Sequence, residues 1–225
     1  FDGASEVADA IRIDDTVTGA PVVISGCTVR NYTNRFVYVS LSGKIESLTI
    51  DDCIFIGADN STTNKAIYAS SAHTQVETLS VTNSTFLNFN TGSNYFFRIN
   101  CGEELVLMPV VLIDHCTFYN CYDRRGVYLY NAGRSTIKNC ISAFSERRDD
   151  TKSFTAYGDE SIVKNVISYN VDLYGSAPKE NIISKNPLFV DAENGNFQLY
   201  KDSPAVGAGD DGSDLGDPRW GVSTE

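Results

Sequence analysis

The stretch Val110 to Phe118, VVLIDHCTF, is one of six related copies spaced along the chain, and this repetition constrains the fold more than any other feature. The others are VVISGCTV from Val22, LTIDDCIF from Leu48, LSVTNSTF from Leu79, TIKNCIS from Thr136 and IVKNVIS from Ile162. Each is a short apolar alternation, a polar residue or Gly, one compact residue and a second alternation. Aligning that compact position gives Cys27, Cys53, Ser84, Cys116, Cys140 and Val166, with steps of 26, 31, 32, 24 and 26 residues. A period of this size marks a stack of similar units, each too small to bury its apolar side alone.

Alternation with period two places three short strands in each unit. The first strand reads AIRID (Ala10 to Asp14), FVYVS (Phe36 to Ser40), AIYAS (Ala66 to Ser70), FFRIN (Phe96 to Asn100), GVYLY (Gly126 to Tyr130) and SFTAY (Ser153 to Tyr157). The inward pairs are Ile11/Ile13, Val37/Val39, Ile67/Ala69, Phe97/Ile99, Val127/Leu129 and Phe154/Ala156. The second strand is the apolar run before the turn, and the third begins at the aligned position. The turn holds Gly26, Asp52, Asn83, His115, Asn139 and Asn165, residue types that tolerate left-handed backbone angles, and stacked Asn side chains can bond along such a pile. Like residues stacked on like predict an all-β, right-handed, three-sheet parallel β-helix: a solenoid of about six coils spaced by roughly 4.8 Å. The coils occupy residues 1–185, and a segment of different character, residues 186–225, forms an irregular C-terminal cap of the same domain, with Pro187 to Val206 covering the last coil.

Composition narrows the function. The net charge is −11 at pH 7, which excludes the basic footprint that phosphate binding needs, so no nucleic-acid partner is expected. No run approaches ~20 apolar residues, so no membrane span is expected. Four of the six cysteines (Cys27, Cys53, Cys116, Cys140) share the aligned column, which points to free thiols packed in the core rather than to disulfides; Cys101 and Cys121 lie outside it. The two histidines, His73 and His115, fall in turns without metal-ligand spacing.

The repeat pattern resembles the pectate-lyase-like superfamily, in which an Asn-bearing turn joins the second and third sheets; the resemblance covers about Ala10 to Asn170. From Asn186, NPLFVDAENGNFQLYKDSPAVGAGDDGSDLGDPRW is similar to the C-terminal tail of secreted bacterial β-helix proteins, where P-x-F-V-D, G-x-F-x-L and S-P-A follow one another. The ending Gly216 to Trp220 is similar to that of uncharacterised β-helix domains in glycan-utilisation loci of gut Bacteroidetes. That likeness implies a secreted or outer-membrane surface-anchored protein with a lipoprotein anchor upstream, and Phe1-Asp2-Gly3 reads as a processed or truncated start. The superfamily carries lyases, hydrolases, adhesins and tailspikes, so the fold names no reaction.

The outward position between each inward pair reads Arg12, Tyr38, Tyr68, Arg98, Tyr128 and Thr155, and Asp9, Arg35, Lys65, Tyr95, Arg125 and Lys152 stand just before the strands. Tyr faces can stack on sugar rings, and the Arg fork meets a carboxylate bidentately. The expected binding residues are therefore Tyr38, Tyr68, Arg98, Tyr128, Tyr130, Arg35, Lys65 and Arg125, recognising an acidic, uronate-containing extracellular polysaccharide without catalysis, in a monomer. The plainer reading is that strand tyrosines stack on one another. A lyase acting by β-elimination is the first alternative, with Arg98 as base beside Tyr68 and Tyr128, although a lone Arg stays protonated in almost all proteins. A structural or adhesive surface protein is the second. No cofactor is expected. The only carboxylate cluster suggesting calcium, Asp210, Asp211 and Asp214, lacks EF-hand spacing and is read as a solvated tail. Asp51-Asp52, a close acidic pair in the repeats, falls in a turn away from the expected groove, and the mixed-charge loop Glu146 to Lys152 lies near the basic row.

Overall fold

The computed structural model describes residues 1–3, 8–14, 19–40, 44–57, 65–69, 75–90, 95–100, 109–130 and 132–224. Each repeat folds as alternation dictates, into strands that put one side chain of every two inward. The first gives β1 (Asp9–Ile13), β2 (Val22–Ser25) and β3 (Thr28–Arg30); the second β4 (Arg35–Val39), β5 (Lys44–Asp51) and β6 (Ile54–Ile56). The third gives β7 (Lys65–Ala69), β8 (Gln75–Thr82) and β9 (Thr85–Leu87), and the fourth β10 (Phe97–Asn100), β11 (Val110–Asp114) and β12 (Thr117–Tyr119). In the fifth, β13 (Val127–Tyr130) is followed by one long strand, β14 (Arg134–Ala143), and in the sixth β15 (Lys152–Ala156) by β16 (Ile162–Tyr169). A further row, β17 (Asp172–Tyr174) and β18 (Lys179–Ile183), precedes a hairpin of β19 (Phe189–Asp191) and β20 (Asn196–Leu199).

The chain is all-β with parallel multistranded sheets. The first sheet runs β1-β4-β7-β10-β13-β15-β17, seven strands where the sequence suggests about six, because DLY at β17 carries no apolar alternation to announce it. The remaining repeat strands form a second, larger parallel sheet system in which β2, β5, β8 and β11 lead to the first half of β14, and β3, β6, β9 and β12 to its second half. The change of direction inside β14 falls at Asn139, φ 51°. The turn residues Asp52, Asn83, His115 and Asn165 share this left-handed backbone, with φ of 50–53°, and Gly26 has φ 65°. A second left-handed series at the ends of the third strands, Asn31, Asn88, Asn120 and Asn170, was not singled out from the sequence. The turn amides bond along the stack, but mostly not to one another. Asn83 donates to Asp51 (2.9 Å) and Asn139 to Asp114 (3.0 Å), while Asn181 and Asn165 make the direct amide pair (3.0 Å).

All six expected inward pairs face the core, in register across the sheet, and from β4 to β15 every one is buried. Phe55, Phe86 and Phe118 stack face to face at 5.0 and 4.9 Å. Cys53, Ser84, Cys116, Cys140 and Val166 form a fully buried column, with Cys27 half-buried at its start, and the five cysteines that are described are free thiols. Cys101 lies outside the described residues. Burial raises the Cys53 thiol to about 11 and pushes Cys116 and Cys121 up as well, so these sulfurs are weak nucleophiles.

The tail does not simply cover the last repeat. It runs back along the outer face of the third strands, where Phe197, Leu199, Ala205 and Leu215 pack on Leu87, Tyr119, Ile141 and Ile167 from four repeats. Polar fastenings follow the same path. Asp217 accepts from Thr85 Oγ1 (2.6 Å), Trp220 Nε1 donates to Thr85 Oγ1 (2.9 Å), Gly216 N–H donates to the Asn139 carbonyl (2.8 Å), and Arg219 pairs with Asp52. The outward residues of the third strands are themselves apolar, and the tail covers them.

Candidate functional site

The outward column of the first sheet is a true register. Arg12 pairs with Tyr38, Tyr38 with Tyr68, Tyr68 with Arg98, Arg98 with Tyr128 and Tyr128 with Thr155. Three residues earlier along the strands, Asp9, Arg35 and Lys65 are in register, and Lys152 is in register with Asp172. Parallel pairing of equivalent residues thus turns a 26–30-residue sequence period into a ladder of adjacent side chains.

The rings form an unbroken series. Tyr38 meets Tyr68 at 6.1 Å, Tyr68 meets Tyr95 at 6.2 Å, Tyr95 meets Tyr128 at 5.8 Å, Tyr128 meets Tyr130 at 5.7 Å and Tyr130 meets Tyr157 at 6.0 Å. Tyr95 supplies the ring in the repeat whose column residue is Arg98; the sequence places it before the strand but does not select it for the site. Arg98 donates from Nη1 to Tyr95 Oη, lies 4.7 Å from the Tyr95 ring, and buries its Nε without an acceptor among the described residues. Arg35 sits 3.4 Å over Tyr38, Lys65 5.8 Å over Tyr68 and Arg125 4.7 Å over Tyr128, distances at which a cation is attracted by the ring face.

The expected binding residues do not contribute equally. Tyr128 is only 7% exposed, and both its neighbours in the ring series are stacked on it, so it supports the surface without presenting a face. Tyr130, at 37%, is the exposed ring of that row. Arg35 is engaged by Asp9 through two bonds of 2.7 and 2.9 Å, and Lys152 by Asp172 at 3.3 Å. The Glu146 to Lys152 loop is tied down locally: Arg147 bonds Asp172 (2.9 Å), and Arg148 pairs with Glu146 while lying 3.8 Å over Tyr122. Arg35 and Lys152 are therefore neutralised, whereas Arg98 and Arg125 in the middle, like Arg12 on the first strand, have no carboxylate partner among the described residues. Burial lowers the affinity of the Lys65 amine for its proton, and Arg35 and Arg98 push the same way, opposed by the buried Asp123. Tyr95 and Tyr128 are held in the protonated form chiefly by burial.

The acidic residues singled out from the sequence are placed elsewhere. Asp51 accepts from Thr82 and Asn83, and Asp52 pairs with Arg219. Asp210 is gripped by Lys164 (2.9 Å), Lys138 (3.2 Å) and Asn139 (2.8 Å), and Asp214 accepts from the Gly207 N–H (2.8 Å). Asp52 and Asp210 thus fasten the tail to the repeats, Asp51 joins neighbouring repeats and Asp214 braces the tail on itself, and no group of three His, Cys, Asp or Glu side chains suited to a metal ion occurs among the described residues. No described helix is long and apolar enough to cross a membrane. A cavity of about 620 Å³ opens between the tail and the third strands, lined in part by His115, Ile141, Phe197, Leu199, Ser213 and Trp220. Sequence reading missed it because it joins residues about a hundred positions apart.

Two family models match the chain, each described as a domain of unknown function: DUF4957 over residues 1–91 and DUF5123 over residues 111–220. No curated protein matches it in sequence. The interval between the matches does not interrupt the sheets. β7 pairs with β10, β8 with β11 and β9 with β12 across it, and one apolar core runs through both segments.

Proposed function

We propose that the chain winds as a right-handed, three-sheet parallel β-helix of the pectate-lyase-like kind, and that it recognises an acidic extracellular polysaccharide along the outer face of the first sheet without cleaving it. The equivalence of strands in consecutive repeats, all parallel and in register, supports the winding. The observation that carries the function is the charge pattern of that face. In a chain of net charge −11, the middle of the tyrosine series gathers Lys65, Arg98 and Arg125, while Arg35 and Lys152 toward its ends are paired with Asp9 and Asp172. Stacked rings flanked by cations suit a polymer that presents alternating apolar ring faces and carboxylates.

Elimination would require a group ready to take a proton. Arg98 donates to Tyr95 and an Arg stays protonated, and burial keeps the protons on Tyr95 and Tyr128, so the geometry favours binding over a lyase. The sugar-binding reading and the tail's likeness to secreted β-helix proteins together favour a cell-surface or secreted location.

The test is a titration with polygalacturonate and with a neutral glucan, together with absorbance of unsaturated uronate in the same samples. Binding of the anionic polymer alone is expected, weakening with salt. Arg98→Ala and Arg125→Ala should each weaken it about tenfold to a hundredfold, the loss of one charge-assisted hydrogen bond. Equal binding of the neutral glucan, or full binding by the double variant, sinks the site. New absorbance makes the protein a lyase.

A further inference from the structure

We propose that Asp114, His115 and Ser213 form a nucleophilic relay at the mouth of the cavity under the tail, and that the protein hydrolyses carboxylic esters with small apolar acyl groups there. His115 Nδ1 lies 2.9 Å from Asp114 Oδ1, and its Nε2 lies 2.7 Å from Ser213 Oγ. This is the order of contacts that activates a hydroxyl: a carboxylate fixes the imidazole with the proton on Nδ1, which leaves the Nε2 lone pair facing the nucleophile. Asp114 is itself held by Asn139 Nδ2 (3.0 Å) and Lys138 Nζ (3.3 Å), and the left-handed turn at His115 (φ 50°) aims the ring at the tail.

His115 and Ser213 line a cavity of about 620 Å³ whose apolar walls include Ile141, Phe197, Leu199 and Trp220 and whose polar lining adds Asp211, Asp214 and Asp217. The N–H of Asp214, the residue after the serine and itself a lining residue, makes no hydrogen bond among the described residues and can donate to a developing oxyanion. Asp211 Oδ1 accepts the Ser213 hydroxyl at 2.6 Å in the resting chain, and Asp211 Oδ2 lies 3.7 Å from His115 Nε2, so the hydroxyl has to turn from Asp211 to His115 before its proton can pass. Asp211 is half-exposed, and water weakens its hold.

In the reaction Ser213 Oγ passes its proton to His115 Nε2 and bonds to the ester carbonyl carbon. The carbon–alkoxy bond then breaks, and the alcohol leaves with the proton from Nε2. Water, deprotonated by His115, attacks the acyl–serine ester, releasing the carboxylic acid and restoring the Ser213 hydroxyl. The balance is ester plus water giving acid plus alcohol.

The full chain is incubated with p-nitrophenyl acetate and butyrate and, separately, with a fluorophosphonate probe. One equivalent of probe on Ser213, located by peptide mass spectrometry, and steady release of nitrophenol are expected. Ser213→Ala should lose the label, and both Ser213→Ala and His115→Ala should lower turnover by about 10²-fold or more. The wild-type labelling decides the matter even where a variant loosens the tail. An unlabelled wild-type chain, a label on another residue, or turnover that survives Ser213→Ala overturns the proposal.

Discussion

Asn139 shows how much one residue can carry. It is fully buried in the left-handed region (φ 51°), its amide nitrogen donates to Asp114 and Asp210, its amide oxygen accepts the Asp210 N–H (3.0 Å), and its carbonyl accepts the Gly216 N–H. Asn139→Ala should cost about 4–5 kcal/mol, combining roughly 1–2 kcal/mol for a left-handed alanine with about 1 kcal/mol for each of the three side-chain hydrogen bonds lost. Asn139→Gly should recover about 1 kcal/mol of that, because glycine removes the backbone penalty and leaves the lost bonds. Urea denaturation of the three proteins measures both differences, and equal stability of the Ala and Gly forms would show that the backbone angle contributes nothing.

At the scale of elements, the contact between tail and sheet is electrostatically tuned. Lys164, Asn139 and Lys138 hold the Asp210 carboxyl well below the usual carboxylate range. Its folded pKa lies below its unfolded value, so its stabilisation is complete above about pH 4 and is lost as pH falls through the folded value. The single tryptophan, Trp220, sits in the tail 5.3 Å from Phe197 and donates to Thr85, which makes its fluorescence a local reporter. Acidification from pH 5 to pH 2 should shift its emission toward that of exposed indole in the wild type. Asp210→Asn should sit closer to that state at pH 7 and respond less to acid. The same shift with pH in both proteins would remove Asp210 from the account.

For the whole molecule, the tail is part of the core rather than an appendage. Leu87, Tyr119, Ile141, Ala143 and Ile167 are buried because Phe197, Leu199, Ala205 and Leu215 lie on them. A chain ending at Lys185 would expose a contiguous apolar stripe spanning several repeats, the kind of patch that drives association. Such a truncation should bind a hydrophobic dye and elute as aggregate by size-exclusion chromatography under conditions where the full chain does neither. A soluble, dye-silent fragment with the same melting temperature would mean that the tail contributes no stability.

Local chemistry determined the strands, the inward pairs, the left-handed turns and the buried thiol column, because period-two alternation and the backbone freedom of Asn, Asp and Gly act within a few residues. It also placed Tyr38, Tyr68, Arg98 and Tyr128 in one ladder, since equal spacing becomes adjacency once repeats pair in register. What it could not determine was which of those side chains would be covered. Tyr128 is closed off by Tyr95 of the preceding repeat and by Tyr130 of its own strand, and Arg35 is occupied by Asp9 of the neighbouring strand. The meeting of His115 with Ser213 is of the same kind: it depends on the path by which an irregular tail crosses the third strands, and apolar burial over several repeats sets that path rather than any local pattern.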